Sequence, residues 1–449
     1  MAAALGVLVS CGSVKSGEEV VAASRDSKVV VAYVTSWSEV MPDPQYMTHI
    51  NYAFGHVNES FNGVKIDNEE RLRQIVDLRK QKPELKVLLS IGGWGSGRFS
   101  EMAANDEYRR AFAADCDRVV KEFALDGIDI DWEYPTSSMA NISSSPDDTE
   151  NFTLLMQDIR AAIGNEKELT LATVASARYI DFKAILPSVD FVNIMAYDMA
   201  SAPKHHSALY PSGHSGDITS DGAVTAHLKA GVPPSKLVMG MPFYGRGGDG
   251  YPSFQDYNKV GNTDTQYTEK WDEVAQVPYL ADKNDTLVFG FENPRSLAIK
   301  CQYILDKDLL GGMYWDYSGD NEQGDLRRTV AENLLGKPHK AKVLVLTERG
   351  GQHGGFTDAG LRWLAAEGVK GNFSITEINN ARNITEAYLS QFSLVIQLDF
   401  PPYTWPKEAE DAFVKYIEEG RGGWIGFHHA TLLGEFDGYP MWQWFSDFM

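Results

Sequence analysis

Between residues 125 and 135 the chain reads Leu-Asp-Gly-Ile-Asp-Ile-Asp-Trp-Glu-Tyr-Pro. Side chains alternate along an extended strand, so Asp129, Asp131 and Glu133 share one face, about 6.6 Å apart from neighbour to neighbour. Ile128, Ile130 and Trp132 take the other face and need apolar cover. Three carboxylates held together in a covered place cannot all stay ionised, so at least one is pushed to hold a proton near neutral pH. A carboxyl in that state is suited to general acid catalysis. A calcium site or a solvated edge strand is the bland alternative, and the apolar opposite face argues against an exposed edge.

Such a strand needs a scaffold that buries both of its faces. Short apolar runs at 28–34, 49–54, 86–93, 125–133, 169–175, 189–197, 236–245 and 309–317 alternate with amphipathic helical stretches. Continuous apolar strands of this kind belong to parallel sheets covered on both sides. Eight of them alternating with helices predict an α/β chain folded as a (β/α)8 TIM barrel over residues 28–337, in which catalytic groups gather at strand C-termini. An open doubly wound sheet is the competing arrangement. Glu133 ends the fourth strand. Residues 247–286, after the seventh strand, read as an irregular insert with one helix at EKWDEVAQ. So short an insert implies a shallow cleft and endo-type cleavage.

Further groups sit at strand ends. Ser90-Ile91-Gly92-Gly93 ends the third strand, Met195-Ala196-Tyr197-Asp198 the sixth, and Tyr314-Trp315-Asp316 the eighth. Together with Asp126, Asp129, Asp131 and Glu133, these segments resemble the DxxDxDxE, SxGG and MxYD signatures of glycoside hydrolase family 18, the chitinase family, over residues 28–337. The resemblance implies retaining hydrolysis of β-1,4 N-acetylglucosamine linkages in chitin or chito-oligosaccharides, with no enzymic nucleophile. It implies Glu133 as acid and then base, and Asp131 as the group that orients the substrate acetamide and stabilises an oxazolinium. Asp129 would share a proton with Asp131, and Tyr197 would donate to the acetamide oxygen. Asp198 would contact the distorted sugar and Trp315 would floor the −1 subsite. Tyr33, Phe54, Trp94, Tyr134, Met195, Tyr244 and Arg246 complete the expected substrate-binding set, and Trp37 and Trp271 are equally suited to cleft wall or packing. Two alternatives stay open: an endo-β-N-acetylglucosaminidase cutting the chitobiose core of N-glycans, and a non-catalytic chitin lectin on the same barrel. Lectins of that kind lose the acid that Glu133 retains.

Composition narrows the partners. Lys and Arg number 41 against 62 Asp and Glu, a formal charge of −21, which repels nucleic acid and anionic membrane surfaces. A monomer acting on neutral N-acetylglucosamine-containing oligo- or polysaccharide is expected, with no cofactor. No metal ligand set is assigned, the loop histidines His205, His206 and His214 included. Cys116 and Cys301 fall in helical patterns and read as buried thiols. Leu8-Val9-Ser10-Cys11 closes a short apolar run and resembles the lipobox of bacterial lipoproteins, with residues 1–27 as signal and tether. That implies export as a bacterial cell-surface or periplasmic lipoprotein, or otherwise secretion, and a lipid anchor through Cys11; a plain disordered N-terminus is the alternative.

A Gly/Pro/Lys linker at 338–341 precedes a fresh α/β pattern in 342–449 with three clear strands, expected to be a partial domain. Val343-Leu344-Val345-Leu346, His353-Gly354-Gly355-Phe356 and Gly422-Gly423-Trp424-Ile425-Gly426-Phe427-His428-His429 resemble the trehalose-utilisation (ThuA-like) family. The resemblance implies a flavodoxin-like, amidotransferase-like fold. No cysteine stands where amidotransferases carry their nucleophile, leaving carbohydrate binding, metal-assisted sugar chemistry or a structural role.

Overall fold

The computed structural model describes residues 28–449 apart from 249–250, 261–266, 336–340, 350–352, 372 and 436–437. Cys11 and the lipobox, and most of the expected linker, lie outside the described residues. Strands β1 (Val29–Thr35), β2 (His49–Val57), β3 (Lys86–Gly92), β4 (Gly127–Asp131), β5 (Glu168–Val174), β6 (Phe191–Met195), β7 (Leu237–Pro242) and β8 (Gly311–Trp315) are joined in parallel. Because β1 pairs with both β8 and β2, the sheet closes into the expected barrel. A short antiparallel strand, Val64–Ile66, extends β2.

The alternation of side chains sorts each strand into two cores. On β1, Val30, Ala32 and Val34 pack outward under the helices, whereas Val31 and Tyr33 join Phe54, Phe191, Val238 and Met313 inside the barrel. On β4, Ile128, Ile130 and Trp132 lie in the outer core, with Trp132 stacked on Phe99 at 5.3 Å. The covering helices include Asp106–Glu122, capped by Asn105, and Pro294–Asp306, opened by an Asn293–Ser296 capping box. Cys116 and Cys301 are buried in these two helices. No helix among the described residues is long and apolar enough to cross a membrane.

The insert after β7 differs from expectation. It is a five-stranded antiparallel sheet of Tyr244–Gly247, Gln255–Asp256, Thr268–Asp272, Val277–Ala281 and Leu287–Gly290. The EKWDEVAQ segment makes a strand and a hairpin turn instead of a helix. Asp272 Oδ1 accepts the backbone N–H groups of Val274 and Ala275, both at 2.9 Å, and that side-chain turn reverses the chain. The insert is thus an ordered sheet and not the irregular segment from which a shallow cleft was expected.

The second domain has four parallel strands, β9 (Ala341–Leu346), β10 (Phe373–Ile378), β11 (Leu394–Gln397) and β12 (Gly423–Gly426), in the order β10-β9-β11-β12. Two apolar clusters pack against them: Leu344, Leu346, Val395 and Phe413 belong to one, and Val343, Val345, Leu364 and Ile396 to the other. The strand missed by pattern, β10, is an edge strand whose residues are all half-buried or exposed, so it lacks the continuous apolar run of the others.

Candidate active site

The inward face of β4 carries Asp129 and Asp131, 0% and 4% exposed, and Glu133 follows at the rim, half-buried. The register places Ser90 beside Asp129 and Gly92 beside Asp131. Gly92 has φ +133°, and a Cβ there would lie 2.0 Å from the Asp131 carbonyl oxygen; a Cβ on Gly93 would strike the Phe54 ring at 2.6 Å. Both glycines of the SxGG segment are therefore required by close approach. The loop beyond Glu133 is tied down by buried Asp148, which accepts Ser100 Oγ at 2.7 Å and the N–H groups of Thr136 and Ser145 at 3.1 and 2.7 Å.

Asp129 is the most heavily bonded of the three carboxylates. Its Oδ2 accepts the hydroxyls of Tyr33 (2.9 Å) and Ser90 (2.8 Å), and its Oδ1 accepts Thr170 Oγ1 (2.6 Å) and Asn193 Nδ2 (3.3 Å). Burial raises its pKa, and these four donors pull it back. Asp131 is treated in the opposite way. Its Oδ1 has no hydrogen-bond partner among the described residues. Burial first, then the charges of Glu133 and Asp129, push its carboxyl well above the usual range. Both Asp129 oxygens are occupied by other donors, so of the two aspartates Asp131 is the one raised further above the usual range.

Burial raises the Glu133 carboxyl to about 7, with Asp198 adding to the rise and a bond from Tyr134 opposing it. Asp198 is itself kept well below the usual carboxylate range: burial pushes it up, but Arg246 and His206 outweigh burial. Arg246 grips it bidentately, Nε to Oδ1 at 2.7 Å and Nη2 to Oδ2 at 2.6 Å. His206, wholly buried, brings Nδ1 to 3.5 Å from Oδ1. Tyr197 is half-buried, and desolvation, then the charges of Asp131, Glu133 and Asp198, raise its phenol. A Cβ on Gly240 would come within 2.8 Å of the Tyr197 ring, so that glycine makes its room.

The aromatic residues divide by exposure. Trp315 stacks on Phe54 at 5.6 Å, meets Tyr33 at 5.6 Å and Trp37 at 6.5 Å. Met195 is half-buried in the same interior cluster. Trp37 and Trp94 are 64% and 62% exposed, and Trp94 stands 6.5 Å from Tyr134. Tyr33 and Tyr244 are 2% and 3% exposed. Tyr244 is covered by Phe254 at 4.6 Å, an exposed ring from the insert. Trp271 is not in this group: it lies under Arg295 at 3.8 Å. Asp126, the first residue of the DxxDxDxE segment, also stands apart, accepting Val87 N–H and pairing with Arg79.

His206, Thr170, Asn193 and Phe254 are site residues that pattern reading did not single out as such, since each is placed by a strand or loop far away in sequence. Among the other loop histidines, His205 pairs with Asp272 at 3.2 Å, while His214 packs 6.1 Å from His205.

A strand of stacked carboxylates opening onto an aromatic floor, inside a closed barrel, can be set against known proteins. Residues 29–320, more than half of the chain, match the profile of the glycosyl hydrolases family 18. The chain belongs to that family. Residues 342–449 match the trehalose utilisation family. Chitinase A1 of Niallia circulans is 30% identical over 67% of this chain, and the match spans 58% of that protein's length. Chitotriosidase-1 of Mus musculus is 31% identical, covering 66% of this chain and 74% of that one. The solved structure of a glycoside hydrolase family 18 N-acetylglucosaminidase from Paenibacillus barengoltzii superimposes with a TM-score of 0.63 at 32% identity, covering 68% of this chain and 99% of that one.

Proposed function

We propose that the family 18 barrel hydrolyses β-1,4 linkages between N-acetylglucosamine units of chitin or chito-oligosaccharides, using the substrate's own acetamide as nucleophile. One observation carries this reading: a buried Asp131, with one oxygen unpartnered among the described residues and its carboxyl raised well above the usual range, two residues before an acid raised to about 7. An orphaned buried acceptor costs about 1–3 kcal/mol. An acetamide N–H entering the cleft would remove that cost. The contact would also hold the acetamide oxygen toward C1 as Glu133 protonates the leaving oxygen. Tyr197 donates to the acetamide oxygen, and Trp315 lies under the sugar whose carbon reacts. Asp198, fixed as an anion by Arg246 and His206, accepts from that sugar's hydroxyls. The acid retained at Glu133 sets this reading above a binding-only lectin.

Export, with a lipid attached at Cys11, belongs to the same proposal, since an insoluble polymer has to be met outside the cell. Labelling with a radioactive fatty acid, in the parent and in Cys11→Ser, tests the anchor. The activity is tested by offering chitin oligomers and a high-mannose glycoprotein side by side, with products read by mass spectrometry. Release of N-acetylglucosamine oligomers from the first supports the proposal. Release of glycans from the second alone replaces it with an enzyme of the N-glycan core.

A further inference from the structure

We propose that His353, His428 and His429 of the second domain bind a divalent transition-metal ion of the zinc type. Two separate loops bring them together. His353 follows β9 and begins the turn into the helix Gly354–Gly371; His428 and His429 follow β12. Both loops leave the carboxyl end of the parallel sheet, the end at which such sheets hold ligands. One nitrogen from each histidine lies within 4.8 Å of the other two. The ring centroids are 4.5 Å apart for His353 and His428, and 4.4 Å for each of the other pairs.

The surroundings of the three rings are those of ligands. Among the described residues, nothing hydrogen-bonds to a ring nitrogen of His353 or His428. His429 Nδ1 is 3.0 Å from Glu348 Oε2, so the carboxylate accepts the Nδ1 proton and leaves the Nε2 lone pair free. A carboxylate behind a metal-binding imidazole fixes ring and tautomer in this way. Glu348 is held in turn: its N–H donates to Asp399 Oδ1 at 2.7 Å, and Asp399 Oδ2 accepts Thr357 Oγ1 at 2.6 Å. Thr357 lies in the first turn of the helix that His353 precedes, so buried Asp399 fixes the β9 loop and that helix as one frame, and Glu348 carries the link from it to His429 on the β12 loop.

Ligand type selects the ion. Three imidazoles suit zinc, copper, nickel or cobalt, whereas magnesium and calcium require oxygen. Zinc–nitrogen bonds of about 2.0–2.1 Å put tetrahedral ligand atoms roughly 3.3 Å apart, which small side-chain rotations reach from the present spacing. Three protein ligands leave a fourth position open, and exposed His428 turns that side to solvent. Exposed Phe356, 6.1 Å from the His428 ring, supplies an apolar neighbour for whatever takes that position. None of these residues belongs to the barrel cleft.

The test uses the full chain, stripped with a chelator, and Co²⁺ as the probe, followed by its visible absorption and by elemental analysis of the dialysed protein. One equivalent per chain is expected. The double variant His428→Ala/His429→Ala should lose it, and Glu348→Gln should bind about 10–100-fold more weakly. Far-UV circular dichroism distinguishes a lost site from a lost fold, and His353→Gln provides a second variant should the double one fail to fold. No Co²⁺ uptake by the parent, or equal uptake by the parent and folded variants, overturns the proposal.

Discussion

Asp129 and Asp131 stand two residues apart on one strand, yet the fold gives the first four hydrogen-bond donors and leaves Oδ1 of the second with none among the described residues. The donors come from β1, β3, β5 and β6, so four other strands agree on where one carboxylate sits. Asp129 is thus a structural hub at the bottom of the site, and Asp131 has an acceptor to spare.

Removing the hub should therefore cost stability. In Asp129→Ala, Tyr33, Ser90, Thr170 and Asn193 all lose an acceptor in a dry interior. At about 1–3 kcal/mol for each buried polar group that stays unpaired, the barrel should lose several kcal/mol even if some donors find new partners. Urea unfolding monitored by tryptophan fluorescence measures this, and a variant as stable as the parent contradicts the hub role.

Glu133→Gln should keep the shape of the rim while removing its proton donor. Loss of a general acid costs about 10²–10⁴ in rate. Turnover of chito-oligosaccharides should fall by at least that much while binding, measured by calorimetry, persists. Activity above a tenth of the parent value would assign the proton to another group.

What was legible in the sequence follows physical lines. The eight barrel strands are buried on both faces, so each is a continuous apolar run, and the carboxylates interrupt one of those runs at alternate positions. Thr268–Asp272 of the insert and β10 are half-exposed, with patterns too mixed to read, and the buried Val277–Ala281 is a short run set among irregular loop. Asp272 sets a hairpin through two backbone bonds that a helical pattern conceals. Asn193 meets Asp129 across 64 residues, and His206 meets Asp198 from a loop; only the folded barrel brings such groups together. Trp37 and Trp271 look alike in sequence, and only the neighbouring Arg295 marks the second as packing.

The pH dependence should report Glu133. The acid works while protonated, so kcat/KM should fall as pH rises through about 7. Asp198, held as an anion, contributes to that high value by repelling the charged form of Glu133. In Asp198→Asn the repulsion is gone, the Glu133 carboxyl drops, and the alkaline limb should move to lower pH. The position of the limb is the readout, since the substitution also lowers the rate. A limb that stays in place, or moves to higher pH, would show that Asp198 does not set the acid.

The mechanism makes a sharper demand. A carboxylate that attacks the sugar directly lies roughly 5–5.5 Å from the acid, across the scissile bond. Asp131 shares a strand with the segment carrying Glu133, lies deeper, and is raised well above the usual carboxylate range, which under the proposed function suits it to orient a group and not to attack. Under the proposed function the nucleophile arrives with the substrate, as the acetamide oxygen beside C1. Oligomers with glucosamine in the −1 position should bind but resist cleavage, and the first product released should carry the β-configuration. A thiazoline that mimics the cyclised intermediate should inhibit competitively and bind more tightly than substrate, because it resembles the species the site is built to hold. Proton NMR of the newly formed reducing end within the first minutes decides the matter. An α-anomer, or cleavage after a deacetylated sugar, would return the attack to water or to an enzyme carboxylate.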